Sequence, residues 1–324
     1  MTKTTLSLRA TTLLMLGLAA APARASCNPP FCTPTFSHTY VSAAGGSDAN
    51  NCGLGAPCRN FQRAHDQTND QGVITVLDPG DFGLLTITKS INIMNDGGGE
   101  ATILVKGGAT GITINGGAGA YVNLRGLTIQ GVGAGIGLVF NTGFSLTMEN
   151  CVVRNLTGDG IDFAPSGNSN LALSNMLIAD NGGSGILVQP TGTGSGKAVL
   201  NNVAAYNNSR DGISVDGSGG TGTITATAVD SVVANNGGSG FAAHTLSGKK
   251  SVNLMVVRSM AAGNSDGLIA GGAPATTIRV AQSEITGNTI CWQVVAGGVL
   301  QSYGDNDING NNDGDPAPPT IGRK

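Results

Sequence analysis

The chain has 324 residues, 52 of them Gly, with 4% aromatic residues, 11% charged residues and a formal net charge of −3. That balance excludes the basic stripe that a nucleic-acid surface needs. Abundant Gly among Val, Ile, Thr and Asn argues against a helical bundle and suits many short strands joined by tight turns.

The first residues read as an export signal: Lys3 and Arg9 precede a short apolar run from Ala10 to Ala21, and Ala23-Arg24-Ala25 is a small-x-small cleavage site. The run is too short to span a membrane, and no later segment qualifies, so no membrane span is expected. Cleavage after residue 25 removes Lys3, Arg9 and Arg24 but no acid, taking the net charge to about −6. Residues 26–38 read as a Pro-containing linker and 39–72 as an N-terminal cap. All six Cys lie in the exported part, where disulfides persist. Cys52 and Cys58 share a Gly/Pro-rich loop and are expected to pair. Cys27 with Cys32 is a second plausible bridge, while Cys151 and Cys291 read as small core residues. The one convincing helix covers 59–66, with Phe61, Ala64 and His65 on one side. Its expected role is to cover the open end of the first coil of strands.

Strands are predicted at 73–77, 84–88, 91–94, 102–105, 112–114, 122–124 and 127–129, each rich in β-branched residues. From 150 to 288 a repeat becomes plain. An apolar segment, an Asn or Asp, a Gly-rich turn and a new apolar pair recur, as in Asn181-Gly-Gly-Ser-Gly-Ile186 and Asn236-Gly-Gly-Ser-Gly-Phe241. Gly160, Gly185, Gly212, Gly240 and Gly267 are 25, 27, 28 and 27 residues apart. A period of that size marks a solenoid, in which each repeat buries its apolar face on its neighbours. Two inward columns are predicted. One is Ile161, Ile186, Ile213, Phe241 and Leu268; the other is Val153, Ile178, Ala205, Val233, Ala261 and Ile285. Asn181, Asn208, Asn236, Asn264 and Asn288 align at the turn between them, where stacked amides can bond each other.

The opening Tyr40-Val-Ser, Gly46-Ser-Asp48, the turn Asp78-Pro-Gly-Asp-Phe-Gly83 and the phrase Ile87-Thr-Lys-Ser-Ile-Asn-Ile93 resemble secreted right-handed parallel β-helix proteins of the pectate-lyase-like superfamily. The likeness covers roughly residues 39–310. It implies an all-β fold: a single-stranded right-handed parallel β-helix with three strands per coil, about nine or ten coils over 73–312, an N-terminal capping helix and a tail at 313–324. It implies no single activity, because that superfamily holds lyases, hydrolases, epimerases, tail-spike proteins and adhesins. The paired Asp with Gly-His-Gly of polygalacturonase-like members does not occur here. Nor does the Asp-Pro-His-Asp of uronate epimerases.

In such a rod, sites form from outward side chains on adjacent coils. The repeat register places Asp216 and His244 one coil apart, a base and its orienting partner in catalytic terms. Gln189, Ser214 and Asp162 are the substrate-binding candidates around them, and Asp162 with Asp216 could share a cation. Asp159, Ser184, Asp211, Ser239 and Asp266, each just before a turn Gly, read as turn residues. Asp305-Asn-Asp-Ile-Asn-Gly310 with Asp313 matches the first half of a calcium loop, making Asp305, Asp307, Asn309 and Asp313 candidate Ca2+ ligands. Pro316 stands where that loop needs Glu, and the same residues also read as a last solenoid turn. The expected function is a secreted scaffold, extracellular or periplasmic, that engages polysaccharide or another cell-surface partner without established catalysis. The alternative is a polysaccharide lyase or glycosidase acting on an acidic glycan.

Overall fold

The computed structural model describes residues 36–133, 135–272 and 276–322. Cys27, Cys32 and the export signal lie outside the described residues. Within them, 28 strands and one seven-residue helix form a parallel solenoid. One face is a nine-stranded parallel sheet, so nine coils are stacked there. The other strands form two further ladders that join into one 19-stranded sheet. The join comes from two eleven-residue strands, Ser169–Ala179 and Gly196–Tyr206, each of which pairs on both ladders. Three separate strands per coil would put two of them at 198–200 and 203–205. Instead the chain turns that corner inside one strand, at Asn175 and Asn202, whose φ values are both 52°. Asn tolerates this left-handed conformation better than other residues with a Cβ.

The core follows from the alternation. Ile161, Ile186, Ile213, Phe241 and Leu268 pair in one register column and are buried, and so do Val153, Ile178, Ala205, Val233, Ala261 and Ile285. Between the columns runs the amide ladder. Asn181 Nδ2 donates to Asn208 Oδ1 at 2.9 Å, Asn208 to Asn236 at 2.9 Å, Asn236 to Asn264 at 2.9 Å and Asn264 to Asn288 at 3.0 Å. The ladder continues to Asn311 at 3.0 Å. Leu156, not Asn155, fills the same position one coil earlier, its N–H donating to Asn181 Oδ1. Asn155 is instead the left-handed corner residue before it, with φ 60°. The repeating Gly is required by close approach: a Cβ on Gly212 would meet Asn236 Nδ2 at 2.8 Å and Gly240 O at 3.0 Å.

A second ladder, unread in the sequence, runs along the opposite corner. Val203 N–H donates to Ser231 Oγ, Ser231 N–H to Ser259 Oγ and Ser259 N–H to Ser283 Oγ. Cys151 holds the equivalent place, buried and unbridged, its Sγ accepting from Leu127 N–H. Burial pushes its thiol up to about 11.

Both ends are covered. The helix Phe61–Gln67 buries Phe61, Ala64 and His65 on the first coil, with the Phe61 and Phe82 rings 5.0 Å apart. Cys52 and Cys58 are bridged beside it. The strand Phe36–Val41 lies partly in the segment expected to be linker, yet it pairs in parallel with Thr68–Val76 and begins the rod. At the other end, Trp292 Nε1 donates to Pro316 O at 2.7 Å and Ser302 N–H to Pro319 O at 2.8 Å, so residues beyond 313 dock on the last coil. Lys250 is fully buried. Its ammonium donates to Gly192 O, Gly194 O and Thr221 O, carbonyls from loops of two preceding coils. No helix among the described residues is long and apolar enough to cross a membrane.

Candidate functional site

The nine-stranded face brings the leading pair together. Strand Ile213–Asp216 lies beside strand Ser239–His244 with Asp216 opposite His244. His244 Nε2 sits 3.2 Å from Asp216 Oδ2, and Ser218 N–H donates to Asp216 Oδ1 at 2.7 Å. Partial burial works against the Asp216 carboxylate, but the bonds from His244 and Ser218 outweigh it and lower its pKa to about 2. The same bond to Asp216 raises His244, against partial burial, and the charge of Asp211 adds to the rise. Each partner thus favours the charged form of the other. His244 is 46% exposed and Asp216 19%, so solvent screens the pair in part.

The remaining candidates do not complete that pair. Gln189 donates its side-chain amide to Asp162 Oδ1 at 2.8 Å. Asp162 pairs with Leu187, which pairs with Ser214. Two coil spacings, roughly 10 Å, thus separate Asp162 from the coil of Asp216, too far to share one cation. Burial, opposed by Gln189 and helped by Asp159, raises the pKa of Asp162. Ser214 stands at an alternate position of its strand but is only 2% exposed, so it offers a ligand little surface. The sequence placed Asp266 at a turn, opposite Ser239, but did not show its partner. Asp266 accepts from Gln293 Nε2, and its pKa is raised by burial and by the charge of Asp211. Asp211 itself accepts Ser239 N–H at 2.8 Å, as Asp159 accepts Ser184 N–H at 2.6 Å. These are the turn roles expected of them, made to the next coil.

The calcium-loop candidates Asp305, Asp307, Asn309 and Asp313 fall on and around the last strand of the solenoid and its following turn. Asp307–Asn309 is a strand paired with Glu284–Thr286, with Asp307 and Asn309 together on its exposed side and Ile308 between them on the other. Asp305 accepts Gln282 N–H, and Asp313 accepts Cys291 N–H at 3.1 Å. Among the described residues no group of three or more His, Cys, Asp or Glu is placed to hold a metal ion. Cys291 is buried against Asp313, and burial followed by that carboxylate raises its thiol to about 12.

A stacked parallel sheet on three faces, stapled by side-chain ladders and closed at both ends, defines a β-helix. The chain belongs to the right handed beta helix family, whose profile matches residues 110–290. Among solved structures it is similar to pectate lyase Pel9A, with 17% identity and a TM-score of 0.56 over 83% of this chain and 75% of that one. It is also similar to the A-module of the mannuronan C-5 epimerase AlgE6 of Azotobacter vinelandii, with 18% identity and a TM-score of 0.53 over 83% and 74%. At such identities the likeness is one of fold. A search of curated proteins by sequence found no significant match.

Proposed function

We propose that the chain is an exported β-helix scaffold that engages polysaccharide without catalysis of its own. The observation that carries the reading is the repetition of side-chain amides on the outside of the rod. Asn123 donates to Asn92, Asn141 to Asn115, Asn202 to Asn175 and Asn207 to Asp180, each pair bridging one coil to another. Such pairs of amide donors and acceptors at the coil spacing of about 4.8 Å, repeated at several places on the rod, suit a polymer of repeating hydroxyls. The polysaccharide lyase and epimerase that share the fold are consistent with such a partner. The Cys52–Cys58 bridge suits an extracellular or periplasmic location.

Catalysis is the second reading, favoured by the Asp216–His244 pair alone. A carboxylate with a pKa of about 2 is a weak base at neutral pH, and His244 is biased toward its protonated form. A panel of neutral and acidic glycans separates the readings. The expected outcome is retention of the chain on at least one polymer, with no release of unsaturated uronate or reducing ends. Product formation that Asp216→Ala and His244→Ala abolish would establish the lyase or glycosidase instead.

A further inference from the structure

A groove of about 730 Å³ lies near the N-terminal end of the rod, away from the Asp216–His244 face. Its wall carries Tyr121, 52% exposed, and Phe144, 40% exposed and at the edge of the groove rather than in its lining, holds its ring centroid 5.0 Å from that of Tyr121. Residues this large and apolar are normally buried, and here two on neighbouring coils hold their rings together in solvent. The register explains how. Tyr121 pairs with Ser145, and Phe144 N–H is tied to Ala120 O at 2.8 Å, so the two rings are fixed by backbone on adjacent coils. Beside them Asn123 Nδ2 donates to Asn92 Oδ1 at 2.7 Å, which leaves the Asn123 oxygen and its second N–H for a ligand.

The charges of the groove balance. Asp70 and Lys89 are the charged residues among those lining it. The Lys89 ammonium donates to Thr68 O, and both Asp66 and Asp70 act on its charge. Asp70 in turn accepts Ser90 N–H at 2.9 Å. A polyanion would meet the Asp70 carboxylate with little free positive charge to offset it.

From this geometry we infer that the Tyr121–Phe144 groove is a binding site for a neutral saccharide. The aromatic pair takes the apolar face of a sugar ring, while Asn92 and Asn123 bond its hydroxyls. The inference rests on the carbohydrate reading above and adds the place and the charge class of the ligand.

The test is affinity electrophoresis and calorimetric titration of the full chain with laminarin and xylan as neutral probes and polygalacturonate as the charged one. The wild type is expected to bind a neutral probe with an affinity insensitive to added salt. Tyr121→Ala and Phe144→Ala should each weaken it roughly tenfold. Both residues are exposed, so the variants should keep the wild-type thermal unfolding temperature. Circular dichroism of each variant verifies the fold, and Tyr121→Phe, which keeps the ring, should retain binding. Neutral-glycan binding left unchanged by both Ala variants overturns the groove while leaving the scaffold reading intact. Binding of no glycan removes both. Salt-sensitive binding to polygalacturonate alone overturns the neutral class. A dimer in sedimentation that Tyr121→Ala dissolves would assign the rings to self-association and overturn the site.

Discussion

Asp216 keeps its charge to lower pH than an ordinary carboxylate, and His244 keeps its proton to higher pH than an ordinary imidazole. A lowered carboxylate contributes stability that is present above its unfolded pKa of about 3.9 and lost as pH falls through about 2. A raised imidazole contributes stability that is present below its unfolded pKa of about 6.5 and lost as pH rises through the folded value. The pair should therefore count most between about pH 4 and 6.5. Asp216→Asn is expected to cost on the order of 1 kcal/mol in that window, discounted for the exposure of His244, and less on either side of it. Urea unfolding across pH checks this, and a difference that does not vary with pH would rule it out. The adjacency of Asp216 and His244 was legible because it needs only the repeat length and the two-residue alternation of a strand. The bond from Gln189 to Asp162 and the burial of Ser214 were not, because they depend on rotamers and on neighbouring coils. The burial of Lys250 was hidden for a related reason. Nothing local in Lys249-Lys250-Ser251 shows that loops from two earlier coils converge on its ammonium.

The amide ladder is the element that joins the coils side chain to side chain. Asn236 bonds Asn264 and the carbonyl of Ala205 and accepts both the N–H and the side-chain amide of Asn208. Asn236→Ala would leave several buried polar groups without partners, a loss of about 2–4 kcal/mol. Asn311→Ala, at the last step, leaves its neighbours nearer to solvent and should cost about half as much. Equal shifts in denaturation midpoint would show that the ladder does not act as a continuous buried column. Its positions could be read directly, since Asn recurs there from 181 to 288. The Ser ladder was hidden because its column also holds Cys151, Met176 and Val203. The corner before it was equally obscure: Arg258 and Gln282, with φ values of 45° and 50°, are not residues that announce a left-handed turn.

As a whole the rod has the one-dimensional economy of a solenoid, in which each coil contacts its neighbours and only the two end coils would open the core to water. The N-terminal cover should thus guard the stability of the first coils. Phe61→Ala, removing a fully buried ring, is expected to cost about 3–5 kcal/mol. Limited proteolysis followed by mass spectrometry should then show cleavage starting before residue 100, whereas cleavage starting at the C-terminal end would contradict it. The helical cover and the coil stack were both legible from the sequence, the first from Phe61, Ala64 and His65 on one side of a lone helix. The C-terminal docking was not, since it rests on main-chain carbonyls of Pro316 and Pro319. That end also gives the amide column a direction. Each ladder amide from Asn181 to Asn288 donates to the next amide toward the C-terminus, besides one carbonyl of an earlier coil, and Asn311 Nδ2 finally donates to Asp315 Oδ1 at 2.8 Å. Asn311 N–H and its side chain hold the Asp315 carboxyl below the ordinary carboxylate range. A chain of aligned amide dipoles finishes on a fixed anion, as a sentence finishes on its full stop. Grafting a further coil onto this protein would have to replace Asp315 by an amide and move the anion to the new terminus.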